Sequence, residues 1–202
     1  MHEHGQRADA IVRGMMEHAR LGADGPGQPR RPVDFNDLVE EQVASTFGNY
    51  RRKDRAALRL FRDYGDRVGT VMAVPQELAR VVQGLLANAL DAVEERAARE
   101  QKAAPENGRR RAATYEPTIT VRTRRDGDTV TLIVSDNGPG IPEPLRHRIF
   151  EPFFTTKPTG SGHPGLGLSL AHETVVMGYG GRLDVDSTPG VVTTFTLTVP
   201  TA

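Results

Sequence analysis

An aspartate at the end of an apolar strand is the residue of this sequence best placed to bind a ligand. The segment Ile133–Ser135 is predicted to be extended, and it runs directly into Asp136, with Gly138 and Gly140 just beyond. A carboxylate at a strand end can accept a hydrogen bond from a ligand amine, and the glycines let the backbone approach a flat base closely. A plain turn is the alternative, because Asp, Asn, Gly and Pro are the usual turn residues.

Asn88 is a polar residue close to the apolar stripe of a predicted helix, next to Leu85 and Ala89. Its carbonyl oxygen suits a hard cation, and its amide group suits a phosphate oxygen. A buried asparagine whose hydrogen bonds are satisfied within the protein is the alternative. Asn88 alone therefore does not decide between a ligand-binding role and a structural one.

Two further segments extend the pattern toward the carboxyl end of the chain. Three phenylalanines, Phe150, Phe153 and Phe154, come shortly before Lys157. This grouping is typical either of a small apolar plug or of a hinged lid with a basic tip. In the segment Gly165–Leu168, glycines stand where a helix is predicted to begin. Backbone N–H groups exposed at a helix start bind anions such as phosphates.

Hydrophobic periodicity predicts the elements that must position these residues. The predicted helices are His4–Arg20, Asp34–Gly48 with Asn36 as its N-cap, Gln76–Arg99 and Leu166–Met177. The predicted strands are Leu58–Tyr64 and Val68–Val74, joined by a Gly-Asp turn, then Thr118–Arg124, Thr129–Ser135, Arg182–Ser187 and Thr193–Val199, with a loop at Gln101–Tyr115. This order predicts an α+β fold, a two-layer α/β sandwich in which helices cover a mixed, mostly antiparallel sheet, plus an N-terminal helix.

Composition excludes several classes of protein. The chain has 202 residues, no cysteine, and 26 basic against 26 acidic side chains. Disulfides and thiolate zinc sites are therefore ruled out, and the charge balance argues against a nucleic-acid partner. Because no apolar run approaches the roughly 20 residues that cross a bilayer, we expect no membrane segment in this chain and a cytoplasmic location, although the intact protein could be membrane-associated.

Taken together, four ordered segments resemble the ATP-binding catalytic domain of sensor histidine kinases, in the GHKL superfamily that also contains gyrase. The segments are the asparagine box Leu85–Val93, the first glycine box Asp136–Gly140, the phenylalanine box Phe150–Phe154 and the second glycine box Gly165–Gly167. The resemblance covers about Val33 to Pro200 and implies a Bergerat-type ATP-binding fold. It also implies that residues 137–165 form a lid over the nucleotide.

The resemblance implies ATP and Mg²⁺ as ligands. It gives Asn88 the role of magnesium ligand, Asp136 that of binding the adenine amino group, and the second glycine box that of binding phosphates. Asn88 and Lys157 are the expected catalytic residues, with Lys157 reaching the triphosphate; a solvated lid lysine is the alternative. The expected nucleotide contacts are Asn88, Asp91, Asp136, Gly138, Gly140, Ile141, Phe150, Lys157, Gly165, Leu166, Gly167, Leu168 and Thr194.

Three positions depart from the family pattern. Gly84 stands where hydrolysing relatives keep a glutamate that activates water and histidine kinases usually have an asparagine. Because loss of a general base costs about 10²–10⁴ in rate, we expect inefficient hydrolysis to water. Pro164 precedes the second glycine box and has no N–H to offer a phosphate, and Val191-Val192 replaces the usual Glu-Gly.

The resemblance also implies a domain plan and partners. Residues 1–21 resemble the end of the second dimerisation helix, residues 22–32 a linker, and residues 33–202 the catalytic domain. The acceptor histidine is expected on a dimerisation hairpin missing from this chain, the relay is expected to continue to a response regulator receiver domain, and a homodimer stays possible. The alternative function is a catalytically weak nucleotide-binding or scaffolding module of the same fold.

Overall fold

The computed structural model describes residues 29–51, 58–103, 115–157 and 165–201. The strands are β1 (Arg31–Asp34), β2 (Arg59–Tyr64), β3 (Thr70–Ala73), β4 (Thr118–Asp126), β5 (Thr129–Asp136), β6 (Arg182–Thr188) and β7 (Val192–Pro200). The α-helices are α1 (Phe35–Arg51), α2 (Pro75–Ala103) and α3 (Gly167–Glu173). Short 3₁₀ turns lie at Glu143–Leu145 and Arg148–Phe150.

The strands form two sheets. The larger sheet has the order β2-β4-β5-β7-β6, in which β2 and β4 are parallel and the other pairs are antiparallel. The smaller sheet pairs β1 with β3. Helix α2 packs against α1, α3 and strand β5, so helices cover one face of the larger sheet. The predicted two-layer α/β sandwich with a mixed, mostly antiparallel sheet is confirmed.

Helix α2 carries the apolar stripe that joins the two layers. Its inward side chains recur at spacings of three and four and are all buried: Leu78, Val81, Val82, Leu85, Leu86, Ala89 and Val93. Burying each leucine or valine contributes roughly 1.5–3 kcal/mol, so the stripe fixes which face of α2 meets the sheet. The helix continues to Ala103, four residues beyond the predicted end.

Strand β5 alternates between buried and half-buried side chains, as expected for a sheet covered on one face. Val130, Leu132 and Val134 are buried in the core, and the same alternation places Asp136 on the helix-covered face. The buried face of β5 therefore consists of apolar side chains up to Val134 and of the Asp136 carboxylate at the end of the strand.

The first two predicted strands are present and a turn joins them, but they do not pair with each other. Strand β2 pairs in parallel with β4, and β3 pairs with β1 in the other sheet. The turn between them ends at Gly69, whose φ of +83° favours glycine and whose carbonyl oxygen accepts the Phe35 N–H at 3.2 Å. This turn leads the chain out of the larger sheet. Strand β1 begins at Arg31, inside the predicted linker.

The predicted N-cap of the first helix is also wrong. Helix α1 begins at Phe35, and the Asp34 side chain accepts the Asp37 N–H at 3.0 Å, which is the contact of an N-cap residue. Asn36 instead donates to the Gly65 carbonyl at 2.9 Å and accepts the Thr123 hydroxyl at 2.7 Å. The asparagine therefore ties α1 to the sheet.

Helix α3 is shorter than the predicted helix Leu166–Met177. It ends at Glu173 and continues as a π-helical turn at Thr174–Gly178. The predicted helix His4–Arg20 and residues 104–114 of the predicted loop lie outside the described residues. Within the described ranges, no helix combines the length and hydropathy needed to cross a membrane.

Candidate functional site

Asp136 ends β5 as a buried carboxylate, only 3% exposed. One of its oxygens accepts the Gly138 N–H at 2.8 Å. Burial raises the pKa of Asp136 to about 6, and the Gly138 hydrogen bond offsets this only in part. A buried carboxylate lowers stability unless its lone pairs find donors, so this position is costly for the fold and suited to a ligand that supplies an N–H.

The first glycine box lies between α2 and the turn that joins β6 to β7 (residues 189–191). A Cβ on Gly138 would stand 2.7 Å from the Ala92 Cβ, closer than carbon atoms can approach. Gly140 has φ +77°, and a Cβ there would stand 2.5 Å from the Pro189 Cα. Both glycines are therefore required by close packing, one against the helix and one against the turn.

Helix α2 brings Asn88 and Asp91 to this region. Ala92, which packs on Gly138, lies one helical turn after the half-buried Asn88 and next to Asp91. The ammonium group of Lys157 bonds to the Asp91 carboxylate, and both side chains are about one-third exposed. The first glycine box therefore packs on the asparagine box of α2, and Lys157 of the predicted lid pairs with the same stretch of the helix.

The phenylalanine box and the second glycine box pack against each other and on α3. The ring of Phe150 lies 5.0 Å from the His172 ring of α3, centroid to centroid. Gly165 has φ +76°, and a Cβ there would stand 2.7 Å from the backbone of both Phe153 and Phe154. The second glycine box therefore contacts the phenylalanine box directly. Residues 158–164, which join the two boxes, lie outside the described part of the chain.

Helix α3 starts directly after the second glycine box. Leu166 is buried and precedes the helix without a side-chain hydrogen bond to the first turn. Gly167 is exposed, and a Cβ there would meet no atom of the described residues within 4 Å. Leu168 is half-buried and packs on the core. Leu166 gives the N–H groups of this first turn no N-cap side chain, and N–H groups at a helix start can bind an anion.

Thr194 is the predicted site residue that the structure does not bring to this group. It pairs with Ser135 across the sheet, and the two hydroxyls lie 3.0 Å apart on the face away from the helices. Side chains alternate along a strand, so its neighbour Thr193 is on the helix-covered face, buried, and directly opposite Asp136. The residue directly opposite Asp136 is therefore Thr193, and the assignment of Thr194 as a nucleotide contact stays a prediction.

Several residues beside the first glycine box carry no sequence signal that separates them from surface residues. The Arg96 guanidinium donates to the carbonyl oxygens of Asn137 at 2.8 Å and Gly190 at 2.8 Å. Ser187 accepts the N–H of Ile141 at 2.9 Å, which fixes the residue after the box. Each contact joins residues 41 or more apart in the chain. Sequence spacing does not reveal such contacts.

Two clefts of the described part of the chain lie away from this site. Two clefts, of about 210 and 450 Å³, lie beside the smaller sheet and share none of the site residues; Arg30 and Tyr179 line the first, and Asp34 and Glu41 line the second. Among the described residues, no group of three or more His, Asp or Glu is arranged to hold a metal ion. The buried carboxylate and the tightly packed glycines are the features that mark the site.

A mixed five-stranded sheet, helices on one face and a buried aspartate before a glycine box define the Bergerat class of ATP-binding domains. Residues 73–202 match the family described as "Histidine kinase-, DNA gyrase B-, and HSP90-like ATPase". The chain belongs to this family, and its ATP-binding domain is of the histidine kinase type.

Individual proteins agree with this assignment. The sensor protein KdpD of Rathayibacter rathayi is 33% identical over 193 residues, which cover 95% of this chain and 19% of that protein. The solved catalytic domain of histidine kinase ThkA superposes with a TM-score of 0.65 at 23% identity, covering 85% of this chain and 95% of that chain. The solved structure of full-length ShkA in complex with AMPPNP superposes with a TM-score of 0.70 at 22% identity. The superposition covers 99% of this chain and 37% of that chain.

The chain is much shorter than the curated relatives. It spans between 19% and 26% of the length of CikA from Synechococcus elongatus, KdpD from Rathayibacter rathayi and DctB from Pseudomonas aeruginosa. The similarity therefore concerns about a fifth to a quarter of the length of those proteins.

Proposed function

We propose that this domain binds Mg-ATP and donates the γ-phosphate to a histidine on a dimerisation helix, for relay to a response regulator. The observation that carries the proposal is Asp136, a buried carboxylate at a strand end beside two closely packed glycines. The chain's membership of a histidine kinase-type ATPase family supports ATP as the nucleotide.

The adenine amino group is the donor that Asp136 would accept. One carboxylate oxygen already accepts the Gly138 N–H, and a carboxylate has lone pairs for further donors. Thr193 lies opposite Asp136 on the same face and is the second residue that we assign to this end of the nucleotide. The absence of side chains at Gly138 and Gly140 leaves the backbone accessible to a flat base.

The phosphates would lie between α2 and the start of α3. In this assignment Asn88 offers its carbonyl oxygen to Mg²⁺, and the N–H groups after Gly167 bind phosphate oxygens. A single protein amide oxygen fits Mg²⁺, which is usually held by one or two side chains together with substrate phosphates and water. Bound Mg²⁺ would neutralise charge on the phosphates.

Lys157 is the proposed cation of the lid. Its ammonium group pairs with Asp91, three residues after Asn88 on α2. From this position a rotation of the side chain would bring the charge toward the phosphates. The proposed transfer needs no general base on this chain, because a neutral imidazole nitrogen of the acceptor attacks the γ-phosphorus while the bond to the β-phosphate oxygen breaks and ADP leaves.

Gly84 favours transfer to histidine over hydrolysis. It lies on α2 one turn before Asn88, and a Cβ there would meet none of the atoms that the structure describes within 4 Å. The space for a catalytic side chain exists, but glycine supplies none. The same residue also favours a second candidate function, a nucleotide-binding or scaffolding module with little catalysis.

A transfer assay in trans separates the two candidates. The chain would be incubated with γ-labelled Mg-ATP and a full dimerisation hairpin that carries an acceptor histidine from a related sensor kinase. Acid-labile label on the hairpin, lost with Asn88→Ala, would support the kinase proposal. Nucleotide binding without transfer to any of several related hairpins would contradict it and favour the scaffolding module.

A further inference from the structure

We infer that Arg96 is a positioning residue for the nucleotide site. It would hold the first glycine box against helix α2 and against the turn at residues 189–191. This inference rests on the proposed function, because it concerns the segment that would lie against the adenine. Arg96 lies eight residues after Asn88 on α2, about 12 Å further along the helix axis, so it touches the box from the side opposite to the phosphates.

Three carbonyl oxygens converge on one nitrogen of Arg96. Its Nη1 lies 2.8 Å from the Asn137 oxygen, 3.3 Å from the Gly138 oxygen and 2.8 Å from the Gly190 oxygen. The first two belong to the first glycine box and the third to the turn. The Arg96 side chain thus links α2, the first glycine box and the turn at residues 189–191. Because its donor is charged, these hydrogen bonds are about twice as strong as neutral ones.

The guanidinium of Arg96 is itself held in place. Its central carbon lies 4.7 Å from the centre of the Tyr115 ring, and its Nε lies 3.8 Å from the Glu100 carboxylate. The Tyr115 hydroxyl donates to the Asn137 side chain at 2.9 Å, which ties the same ring to the glycine box. The side chain of Arg96 is only 25% exposed, so little rotational freedom remains.

Gly138 and Gly140 have no side chain that could hold the box in place, so contacts from outside the box help to fix its position. Gly140 packs on Pro189, and the Pro139 carbonyl accepts the Gly190 N–H at 2.8 Å. These contacts join the box to the turn, and Arg96 joins both to α2. Without Arg96, the box and the turn could shift together relative to Asn88, and the adenine and phosphate ends of the site would lose their alignment.

The test is calorimetric titration of the full chain with Mg-AMPPNP. We expect Arg96→Ala to raise the Kd about tenfold or more, because a charged hydrogen-bond donor is lost from the site. Arg96→Lys should recover part of the affinity, since an ammonium can reach some of the carbonyl oxygens but does not stack on Tyr115. The matched control is Arg99→Ala on the same helix, whose side chain is 68% exposed and pairs with Glu95; its Kd should stay within about twofold of the wild type.

A second control separates positioning from general stability. Val82→Ala removes buried volume near the start of α2 and should lower the melting temperature without changing the Kd. The amide NMR signals of Gly138, Gly140 and Gly190 in the nucleotide-free chain should shift in Arg96→Ala and Arg96→Lys but not in Val82→Ala. If the Arg96 variants leave these signals and the Kd unchanged, the inference is wrong. If the wild type binds no nucleotide, the proposed function fails, and the amide signals still decide whether Arg96 holds the box.

Discussion

The glycines of the first and second glycine boxes have different surroundings. In the first box, a side-chain carbon at Gly138 or Gly140 would overlap with Ala92 or with Pro189. In the second box, Gly165 is packed in the same way against Phe153 and Phe154, whereas a Cβ at Gly167 would meet none of the described atoms within 4 Å. Close packing within the protein therefore explains why Gly138, Gly140 and Gly165 are glycines. It does not explain Gly167, for which ligand binding is the explanation that we test below.

This difference shows that a nucleotide-binding motif mixes two kinds of constraint. The first box is held by α2 and by the turn before β7, so contacts within the protein fix its shape. The second box is held at Gly165 and open at Gly167, where α3 begins. We expect substitutions in the first box to damage the fold, and a substitution at Gly167 to affect binding alone.

The largest expected loss of stability is that of Gly140→Ala. The new Cβ would overlap with the Pro189 Cα and would also occupy a backbone conformation with φ +77°. We expect a decrease of roughly 2–4 kcal/mol in the free energy of unfolding, measured by chemical denaturation.

The matched control for this loss is Gly127→Ala. Gly127 also has a positive φ, +55°, but no atom lies within 4 Å of its added Cβ. This change should cost only about 1 kcal/mol, which is the strain of the backbone conformation. Equal losses in the two variants would mean that the turn does not restrain Gly140.

The next prediction concerns pH and depends on the burial of Asp136. Its pKa of about 6 in the folded protein exceeds the ordinary value of 3.8, because burial disfavours the charged carboxylate. The folded state therefore binds this proton more tightly than the unfolded state. The contribution of Asp136 to stability is fully present below pH 3.8 and is lost as the pH rises through 6, a change of about 3 kcal/mol.

Nucleotide affinity should follow the opposite trend. The ionised carboxylate accepts the adenine amino group, so we expect the Kd for Mg-ATP to rise about tenfold between pH 7 and pH 5 as the Asp136 carboxylate is protonated. Titrations from pH 5 to 8, with thermal melting of the nucleotide-free chain in the same buffers, measure both effects. Asp136→Asn removes the titrating group, so the same melting trend in that variant would assign it to other groups.

A smaller effect is expected at Gly167, and it sharpens the comparison of the two boxes. Gly167→Ala should leave the free energy of unfolding unchanged or slightly raised, because alanine is the better helix former and the space is open. It should weaken Mg-AMPPNP binding severalfold, since the methyl group would stand beside the phosphates. Gly48→Ala on α1 is the control, as Gly48 also has open space around it and lies outside the site. Unchanged affinity for Gly167→Ala would remove the ligand as the reason for this glycine.

The sequence predicted the features that depend on local pattern. The stripe from Leu78 to Val93 predicts α2 because buried side chains must recur with the helical period. The run of alternating residues into Asp136 predicts both the strand and the carboxylate at its end. These parts of the site lie on single elements, so their spacing along the chain is enough to locate them.

Local sequence pattern does not predict the features that depend on pairing between distant segments. Asn36 has the residue type of an N-cap, but its partners Gly65 and Thr123 lie on other elements, and the adjacent Asp34 makes the cap instead. A shift of one residue along β7 exchanges the two faces of the sheet, so local pattern does not show whether Thr193 or Thr194 lies opposite Asp136. Correct assignment needs the register of the sheet, which local pattern does not contain.

The most direct test of the central claim is the affinity of Asp136→Asn for Mg-ATP, measured by calorimetry beside the wild type. The asparagine can still accept the Gly138 N–H, but its amide group opposes the adenine amino group, and the buried charge is gone. We predict that the wild type binds, and that the variant loses at least about 100-fold in affinity while melting at a higher temperature. Equal affinity in the two proteins would contradict the assignment of Asp136 as the residue that recognises the nucleotide.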